Sequence, residues 1–451
     1  MPGARKASRQ SRVPSGRLER LARLGWLAGE VALGGLGEAA RRLTGTGDRA
    51  RSVFVTAANA RTLAARLSRM RGAAMKIGQL LSLEARDLLP PEVADALSIL
   101  RAEGDAMPEA QLRRVLARNY GKGWERRFRT FGMQPIAAAS IGQVHRATAA
   151  DGRELALKIQ YPGVAASIDG DVDNLASILT LSRLLPRQLD LSGVLAEAKR
   201  QLRQECEYRA EARHLRAYAA ALGREPGVVI PAVHDDLTTN HILALDYVAG
   251  APLDVLAEPK HSQRQRNRVG TLLYRILFRE LFELRLMQTD PNFANYLLLP
   301  KGDVALLDFG AVRPLPAALS EQYRRIFAAG MRRDRAALRA AMLEVGFFDA
   351  GELPERVDGL IDLFLIGCEP FAAPGPYDFG ASDLPARARA AGLELTFEKG
   401  FLRAPPAETI FLHRKLSGTF LLCVRIAARV DVHAQLEPFL APSRAARAAQ
   451  K

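Results

Sequence analysis

The stretch that most constrains this chain is QTDPNFANYLLLPKGDVALLDFGAVR, at residues 288–313. It contains Asp290, then Asn295, and later Asp308 as the first residue of an Asp-Phe-Gly sequence. An Asp-x-x-x-x-Asn loop followed by Asp-Phe-Gly is typical of phosphoryl-transfer sites, which need a catalytic carboxylate and oxygen ligands for magnesium. Asp-Phe-Gly alone is ordinary turn composition. The Asp-x-x-x-x-Asn loop and the Asp-Phe-Gly sequence occur together at the expected spacing, and this favours a phosphoryl-transfer site over a chance match.

The chemistry of each side chain predicts its role. Magnesium prefers oxygen ligands, so Asn295 and Asp308 are the candidate metal ligands. Asp290 lies on the same loop as Asn295, where a carboxylate can orient or deprotonate an acceptor hydroxyl. The sequence YLLLPKGDVALL predicts two strands joined by a Lys-Gly-Asp turn. Such a hairpin would return Asp308 to the neighbourhood of Asn295.

Composition limits the class of protein and its partners. The 451 residues, 48% of them apolar, are enough for two or three globular units. The net charge of +15 suits nucleotide phosphate or an anionic membrane. Aromatic residues make up only 6% of the chain and do not alternate with basic runs, so nucleic acid is not a predicted partner.

The cysteines and the apolar segments predict where the protein works. Cys206, Cys368 and Cys423 are far apart and odd in number, which predicts a reducing compartment with neither a disulfide framework nor a zinc site. Charged residues interrupt every apolar stretch before it reaches the length of a membrane span. We therefore expect a cytoplasmic protein, peripheral to the inner membrane and without a transmembrane helix.

The N-terminal part divides into two segments. Residues 1–47 form a basic arm and a Gly-rich amphipathic segment, which could lie on an anionic membrane or pack on the protein body. Residues 48–125 have a helical period, with Lys76 and Gln79 inside an apolar face. A lysine there usually extends to solvent. The alternative is that this polar pair reaches into a neighbouring site.

Residues 126–248 change to short strands followed by helices. Asp151 and Gly152 predict a hairpin turn, and the strand after it carries Lys158. Before that hairpin, a turn occupies the place of the glycine-rich phosphate loop of kinases, where alanine replaces glycine. Its residues are Ala137, Ala138, Ala139 and Ser140. Lys158 by itself could be a surface residue.

Two helices are expected at about 165–184 and 191–222. The second carries Glu207 and Glu211 one turn apart on one face. These carboxylates could pair with arginines on a solvated helix. The alternative is that Glu211 pairs with Lys158, while Glu205 and Glu207 turn toward a nucleotide.

Residues 249–451 are predicted to be mainly helical. A long helix at 264–287 leads into the Asp290 loop, and helices follow directly after Arg313. The chain has no Ala-Pro-Glu sequence and no long activation segment, and position 289 is Thr rather than Arg. A helix near 408–426 is expected to pack as core. Its polar residues are expected to be structural or surface positions: His413, Arg414 and Lys415.

Taken together, these motifs resemble the UbiB/AarF (ABC1-type) family of atypical kinase-like proteins, which supports ubiquinone (coenzyme Q) biosynthesis. The resemblance spans roughly residues 12–440 and includes the branch with the mitochondrial coenzyme-Q members. The matching segments are KIGQ at 76–79, AAAS at 137–140, ALKIQYPGV at 156–164, ECEYRAEA at 205–212, QTDPNFAN at 288–295, LLDFG at 306–310 and ETIFLHRKLSG at 408–418.

The resemblance implies an α+β, two-lobed protein-kinase-like fold with a helical N-terminal extension. The implied limits are 126–248 for the N-lobe and 249–451 for the C-lobe. Family roles carry over to matching positions as follows: Lys76 and Gln79 in an extension over the active site, Ala137 to Ser140 in the nucleotide loop, Lys158 with Glu211 as an ion pair, Asp290 as catalytic aspartate, and Asn295 with Asp308 as metal ligands. The family has Glu-x-Asp where this chain has Glu205-Cys206-Glu207.

These expectations combine into one functional prediction. The chain would bind ATP or ADP with Mg²⁺ and act as an ATPase, or as a kinase of a small molecule or lipid, at an anionic membrane that holds lipid or quinone precursors. A biosynthetic protein complex is a further expected partner. The competing hypothesis is a catalytically weak scaffold switched by nucleotide. A small-molecule kinase of the aminoglycoside type would share the catalytic loop but not the Lys-x-Gly-Gln extension.

Overall fold

A computed structural model describes residues 107–139, 141–181, 192–401, 403 and 405–440. The predictions for Lys76, Gln79, Ser140 and residues 1–47 lie outside these residues. The chain divides into two compact units. The first holds the described residues up to Arg216 together with Ala232–Val248, and the second holds Ala217–Pro231 and the described residues from Ala249 onward. The four segment limits drawn from the sequence stay a prediction.

The elements as far as the end of the first unit include both helices and strands. In chain order they are α1 Glu109–Tyr120, β1 Phe128–Phe131, β2 Ala137–Ala139, β3 Gly142–Ala149, β4 Glu154–Gln160, α2 Val164–Leu181, α3 Ser192–Glu205, α4 Tyr208–Leu222, β5 Val228–Val229 and β6 Ile242–Asp246.

The first unit is built on a five-stranded antiparallel sheet. Its order is β1-β3-β4-β6, and β2 pairs with the start of β3 on the same edge that β1 occupies near its end. In β4, Leu155, Leu157 and Ile159 are fully buried and alternate with residues on the opposite face, the period expected for a strand. The predicted turn between β3 and β4 is confirmed, and Gly152 adopts a φ of 99° there.

One helix predicted for 191–222 is two helices in the structure. α3 ends at Glu205 and α4 begins at Tyr208. The backbone carbonyl of Cys206 accepts a hydrogen bond of 2.6 Å from the side-chain amide of Gln160, on the neighbouring sheet. The carbonyl of Glu207 accepts from the N–H groups of Ala210 and Glu211. These hydrogen bonds satisfy backbone carbonyls that a continuous helix would have paired internally. The prediction of one continuous helix is wrong.

The second unit is mostly helical, and its described residues also form one four-stranded sheet and two pairs of short strands. In chain order its elements after β6 are β7 Ala251–Pro252, α5 Gln263–Arg279, β8 Leu286–Gln288, β9 Tyr296–Leu298, β10 Val304–Leu306, β11 Val312–Pro314, α6 Ala317–Met331, α7 Arg335–Val345, α8 Pro354–Gly367, α9 Glu369–Ala372, β12 Tyr377–Asp378, α10 Leu384–Leu393, α11 Ala407–Arg425, β13 Arg429–Val430 and α12 Val432–Leu440.

The helix that leads to the Asp290 loop is shorter than predicted. α5 begins at a capping box formed by Ser262 and Gln265, and it passes into a π-helical turn at Glu280–Leu284. Arg285 then takes a φ of 49°, and Leu286–Gln288 form β8 against β11. The prediction of helix up to residue 287 is therefore wrong at its C-terminal end. Pairing with a strand from beyond Asp308 overrides the local helical pattern.

Among the helices of the described residues, none is both long enough and apolar enough to cross a bilayer.

Candidate functional site

Lys158 and Glu211 form an ion pair within the first unit. Lys158 lies on β4, on the face opposite to Leu157 and Ile159. Its Nζ atom is 2.9 Å and 3.0 Å from the two carboxylate oxygens of Glu211. Glu211 lies in the first turn of α4, where the helix dipole favours a negative charge. The structure thus brings together two predicted site residues that are 53 positions apart.

The alanine segment forms a strand rather than a turn. Ala137 to Ala139 pair with Val144, Gln143 and Gly142 of β3, and the strand is largely exposed. The prediction of a loop across these alanines is therefore wrong, because the open edge of β3 supplies backbone hydrogen bonds to them. The role of this strand in binding nucleotide stays a prediction.

Glu205 and Glu207 lie in different environments at the break between α3 and α4. The Glu205 side chain is buried, whereas Glu207 is exposed. Cys206 between them is partly buried, and burial, with smaller contributions from Glu205 and Glu207, raises the pKa of its thiol to about 12. A thiol with this pKa stays protonated and unreactive near neutral pH. The contact of Glu205 and Glu207 with a nucleotide stays a prediction.

In the second unit, a hairpin carries the predicted metal ligands. β9 and β10 pair antiparallel, with Tyr296 opposite Leu306, and Gly302 takes a φ of 82° in the turn. The hairpin predicted from the Lys-Gly-Asp sequence is confirmed. The N–H of Leu307 donates a 3.0 Å hydrogen bond to the carbonyl of Asn295. The backbone just before Asp308 is therefore fixed to Asn295.

Hydrogen bonds orient the polar side chains of this hairpin. The Asn295 side chain is buried, and its Nδ2 atom donates a 2.8 Å hydrogen bond to the carbonyl oxygen of Asp290. Because a carbonyl only accepts, the amide oxygen of Asn295 is the atom left for a ligand. The N–H of Gly310 donates a 2.9 Å hydrogen bond to the Asp308 carboxylate. One amide oxygen and one carboxylate at neighbouring positions are a donor set that fits magnesium.

The aromatic residue of Asp-Phe-Gly is part of the core. Phe309 is 1% exposed, and its ring centroid is 4.6 Å from that of Tyr218. The single proton of the Tyr218 hydroxyl is shared between the Glu280 carboxylate, at 2.9 Å, and the carbonyl of Leu286, at 3.0 Å. Burial raises the pKa of Tyr218 well above its ordinary value, so the hydroxyl remains a donor. This packing fixes the residue beside Asp308.

A buried charge pair lies close to these residues, and the sequence reasoning missed it. Lys415 on α11 is 3% exposed, and its Nζ atom is 3.1 Å from Oε2 of Glu280, which is 1% exposed. The expectation of a structural or surface role for Lys415 did not single out this charge. A signal was present, because Leu412, Thr419 and Leu422 lie at helical spacing around Lys415 and are buried.

The neighbours of the pair determine its protonation. Burial raises the pKa of the Glu280 carboxyl, and Lys415 and Tyr218 act against that rise. Burial lowers the pKa of Lys415, but Glu280 and Tyr296 outweigh it and hold the net pKa above the ordinary value. Lys415 is therefore charged at neutral pH, and its charge favours the ionised form of Glu280 against the effect of burial.

The fold and these two groups of residues define a protein of the kinase-like class. Residues 99–342 match the sequence profile of the ABC1 atypical kinase-like domain. The chain is 38% identical over 427 residues to "Atypical kinase COQ8, mitochondrial" of Schizosaccharomyces pombe. That alignment covers 93% of this chain and 69% of the relative. It is 39% identical over 427 residues to "Atypical kinase COQ8B, mitochondrial" of Rattus norvegicus, covering 94% of this chain and 80% of that protein.

A solved structure supports the same conclusion. The Mycobacterium tuberculosis protein Rv3197, solved in complex with erythromycin, superimposes with a TM-score of 0.59 at 28% identity, covering 83% of this chain and 93% of that one. The chain belongs to the ABC1 family of atypical kinase-like proteins. The resemblance to the UbiB/AarF proteins, including their mitochondrial branch, is confirmed, and so is the α+β kinase-like fold.

Proposed function

We propose that this protein binds ATP or ADP with magnesium and hydrolyses ATP, or transfers its terminal phosphoryl group to a small-molecule or lipid acceptor. The proposed setting is ubiquinone biosynthesis at a membrane face. The observation that carries the proposal is the hydrogen-bonded arrangement of Asp290, Asn295 and Asp308 in the second unit. Membership of an atypical kinase family supports it.

Each residue of this arrangement has a proposed task. The Asn295 amide oxygen and the Asp308 carboxylate would hold magnesium, which neutralises phosphate charge when it is bound. The Asp290 carboxylate would accept a proton from, or orient, the attacking hydroxyl or water. In the first unit, Lys158 would neutralise phosphate oxygens while Glu211 fixes its ammonium group. Both proposed tasks of Lys158 and Glu211 rest on the family resemblance.

The proposed acceptor is a small molecule or lipid because the segment after Asp308 is too short to provide the substrate platform of an ordinary protein kinase. β11 ends at Pro314 and α6 begins at Ala317, so no long activation segment follows Asp308. Position 289 is a buried threonine, whose hydroxyl donates a 2.8 Å hydrogen bond to the carbonyl of Ala311. Because threonine carries no positive charge, this position cannot bind the phosphate of a phosphorylated activation segment as an arginine would. The net charge of +15 supports an anionic membrane as partner.

The test is magnesium-dependent ATP hydrolysis by the full-length protein, alone, with zwitterionic vesicles and with anionic vesicles. Asp308→Asn removes the carboxylate charge and keeps the shape of the side chain. We expect turnover that rises with anionic vesicles and falls by about 10²-fold or more in this variant. Asp303→Asn is the matched control, since Asp303 lies in the same hairpin and its carboxylate pairs with the largely exposed Arg268.

The outcomes separate the hypotheses. Equal loss in both variants would count against Asp308 as a ligand. Nucleotide binding without turnover would favour the nucleotide-switched scaffold, for which the alanine strand in place of a glycine-rich loop is the supporting observation. No magnesium-dependent binding of ATP or ADP would overturn the proposal.

A further inference from the structure

The Lys415–Glu280 ion pair is connected to the predicted catalytic loop through Gln288. The Lys415 ammonium donates a 3.1 Å hydrogen bond to the amide oxygen of Gln288. The amide nitrogen of the same side chain donates to the carbonyl of Asp290 at 2.7 Å and to that of Asp308 at 3.4 Å. Gln288 therefore links a buried charge to the backbone of both aspartates.

The three hydrogen bonds of the Gln288 side chain determine the orientation of its amide. An ammonium group only donates hydrogen bonds, and a backbone carbonyl only accepts them. The Gln288 oxygen must therefore face Lys415, and its nitrogen must face Asp290. Without Lys415 the amide oxygen would lose its charged donor, and the amide would be held through its nitrogen alone.

Glu280 holds Lys415 in place and is itself held. Its Oε1 atom accepts from the Tyr218 hydroxyl at 2.9 Å and from the backbone N–H of Gln288 at 3.4 Å. Its Oε2 atom faces the ammonium at 3.1 Å as an ion pair, without a hydrogen bond of good geometry among the described residues. The carboxylate thus fixes both the ammonium and the main chain at Gln288.

The pair lines the same space as the predicted metal ligands. A cavity of about 10 Å³ in the second unit is bordered by Glu280, Gln288, Lys415, Asn295 and Asp308. The buried charges therefore border the same cavity as the residues proposed to hold magnesium.

Stability alone does not explain a buried ion pair at this position. Removing two charges from water costs several kcal/mol each, and replacing a buried pair by apolar residues of similar volume is often neutral or stabilising. A purely structural position would be served as well by two apolar side chains. The specific benefit of the charges lies in the orientation that they impose on Gln288.

We propose that Lys415 and Glu280 are positioning residues, which act through Gln288 to hold the Asp290 backbone, and with it Asn295, in the geometry for phosphoryl transfer. The Asp290 carbonyl accepts from both Gln288 and Asn295, so the amide of the metal ligand and the amide held by Lys415 meet at one oxygen. The inference rests on the proposed function. Small misplacements of reacting groups are costly, which makes such a support measurable.

Gln288→Met tests the link directly, because it leaves the ion pair intact and removes the hydrogen bonds to Asp290 and Asp308. We expect kcat for ATP hydrolysis to fall by about 10²-fold, with little change in KM for ATP. Lys415→Met combined with Glu280→Gln removes the charges without leaving one unpaired. We expect this double variant to fold and to lose kcat by a similar factor.

Non-additivity is the sharpest readout. If Lys415 acts through Gln288, adding Gln288→Met to the double variant should cause little further loss. Lys399→Met is the matched control, because Lys399 is partly exposed and pairs with Glu394 at the surface. A double variant with wild-type kcat would show that the pair only supports the core, and a Gln288→Met variant with wild-type kcat would overturn the link.

The result remains separable from the proposed function. If the wild type hydrolyses ATP and both the Gln288→Met and the double variant keep its kcat, only the positioning role is overturned. If the wild type binds nucleotide without turnover, the readout is the affinity for Mn²⁺ in the presence of ADP. A weaker affinity in the Gln288→Met and double variants supports the inference, and an unchanged affinity overturns it. A wild type without nucleotide binding overturns both proposals.

Discussion

The ammonium group of Lys158 lies between the two carboxylate oxygens of Glu211, at 2.9 Å and 3.0 Å, and the Glu211 side chain is 1% exposed. Lys158 also lies 5.4 Å above the ring of Tyr208. The pair is thus a shielded, bidentate contact that joins β4 to the first turn of α4.

Loss of Lys158 should destabilise the protein, because the buried Glu211 carboxylate would lose the ammonium group that compensates its charge. We expect Lys158→Met to lower the free energy of unfolding by about 3 kcal/mol, measured by urea denaturation. Lys199→Met is the control, since Lys199 pairs with a largely exposed Asp173 and should cost about 1 kcal/mol or less. Equal losses in the two variants would mean that the Lys158 pair is not effectively buried.

Gly418 marks a close approach of α11 to the Asp290 loop. A Cβ atom at this position would lie 2.0 Å from Cγ of Pro291. We expect Gly418→Ala to push the loop away from α11, lowering the free energy of unfolding by about 1–3 kcal/mol and reducing ATP turnover. Gly392→Ala, in α10, meets no atom within 4 Å and should be neutral or slightly stabilising. A Gly418→Ala variant as stable and active as Gly392→Ala would contradict this packing.

Gly142 permits a close backbone approach at the start of β3. An added Cβ would lie 2.3 Å from the carbonyl oxygen of Ile159, next to Lys158. We expect Gly142→Ala to distort the pairing of β3 with β4 and to weaken nucleotide binding, measured by calorimetry with ADP and magnesium. Gly351→Ala, with no atom within 4 Å, is the control. Unchanged affinity and stability in Gly142→Ala would show that the sheet adjusts without cost.

His413 predicts an acid-sensitive stability. It packs at 5.7 Å against Phe347, and burial lowers its pKa to about 4. An unfolded histidine has a pKa near 6.5, so between these values the unfolded chain binds a proton that the folded chain does not. Stability is therefore full above pH 6.5 and is lost as the pH falls. We expect a loss of about 2 kcal/mol by pH 5 from this residue.

The check is urea denaturation at pH 7 and pH 5 of the wild type and of His413→Gln. His145 is also buried with a lowered pKa, and it remains in both proteins. The difference in pH dependence between them therefore reports His413 alone. Identical pH dependence would mean that His413 is accessible to protons in the folded state.

Much of the fold and of the candidate site could be predicted because its signals are local. The hairpin turns at Asp151-Gly152 and Lys301-Gly302-Asp303 each contain a glycine with a positive φ, which glycine adopts at little cost. The spacing of Asp290 and Asn295 fixes them on one short loop. The Lys158–Glu211 pair was one of two alternatives for Glu211 until the family resemblance favoured it, since a lysine on a strand does not by itself identify its partner.

Other features were decided by contacts between distant parts of the chain. At the break between α3 and α4, the Gln160 side chain donates a hydrogen bond to the carbonyl of Cys206. The short strand at Leu286–Gln288 exists because β11 pairs with it. Lys415 reaches Gln288 across 127 positions of sequence.

The sequence by itself thus determined the turns, the periodic helices and the chemical character of the Asp290, Asn295 and Asp308 set, because each depends on residues within a few positions of one another. Only the tertiary structure decided that Lys415 on α11 is buried and borders the same cavity as Asn295 and Asp308. The energy of a buried charge depends on which partners surround it, and those partners come from segments that the sequence keeps far apart.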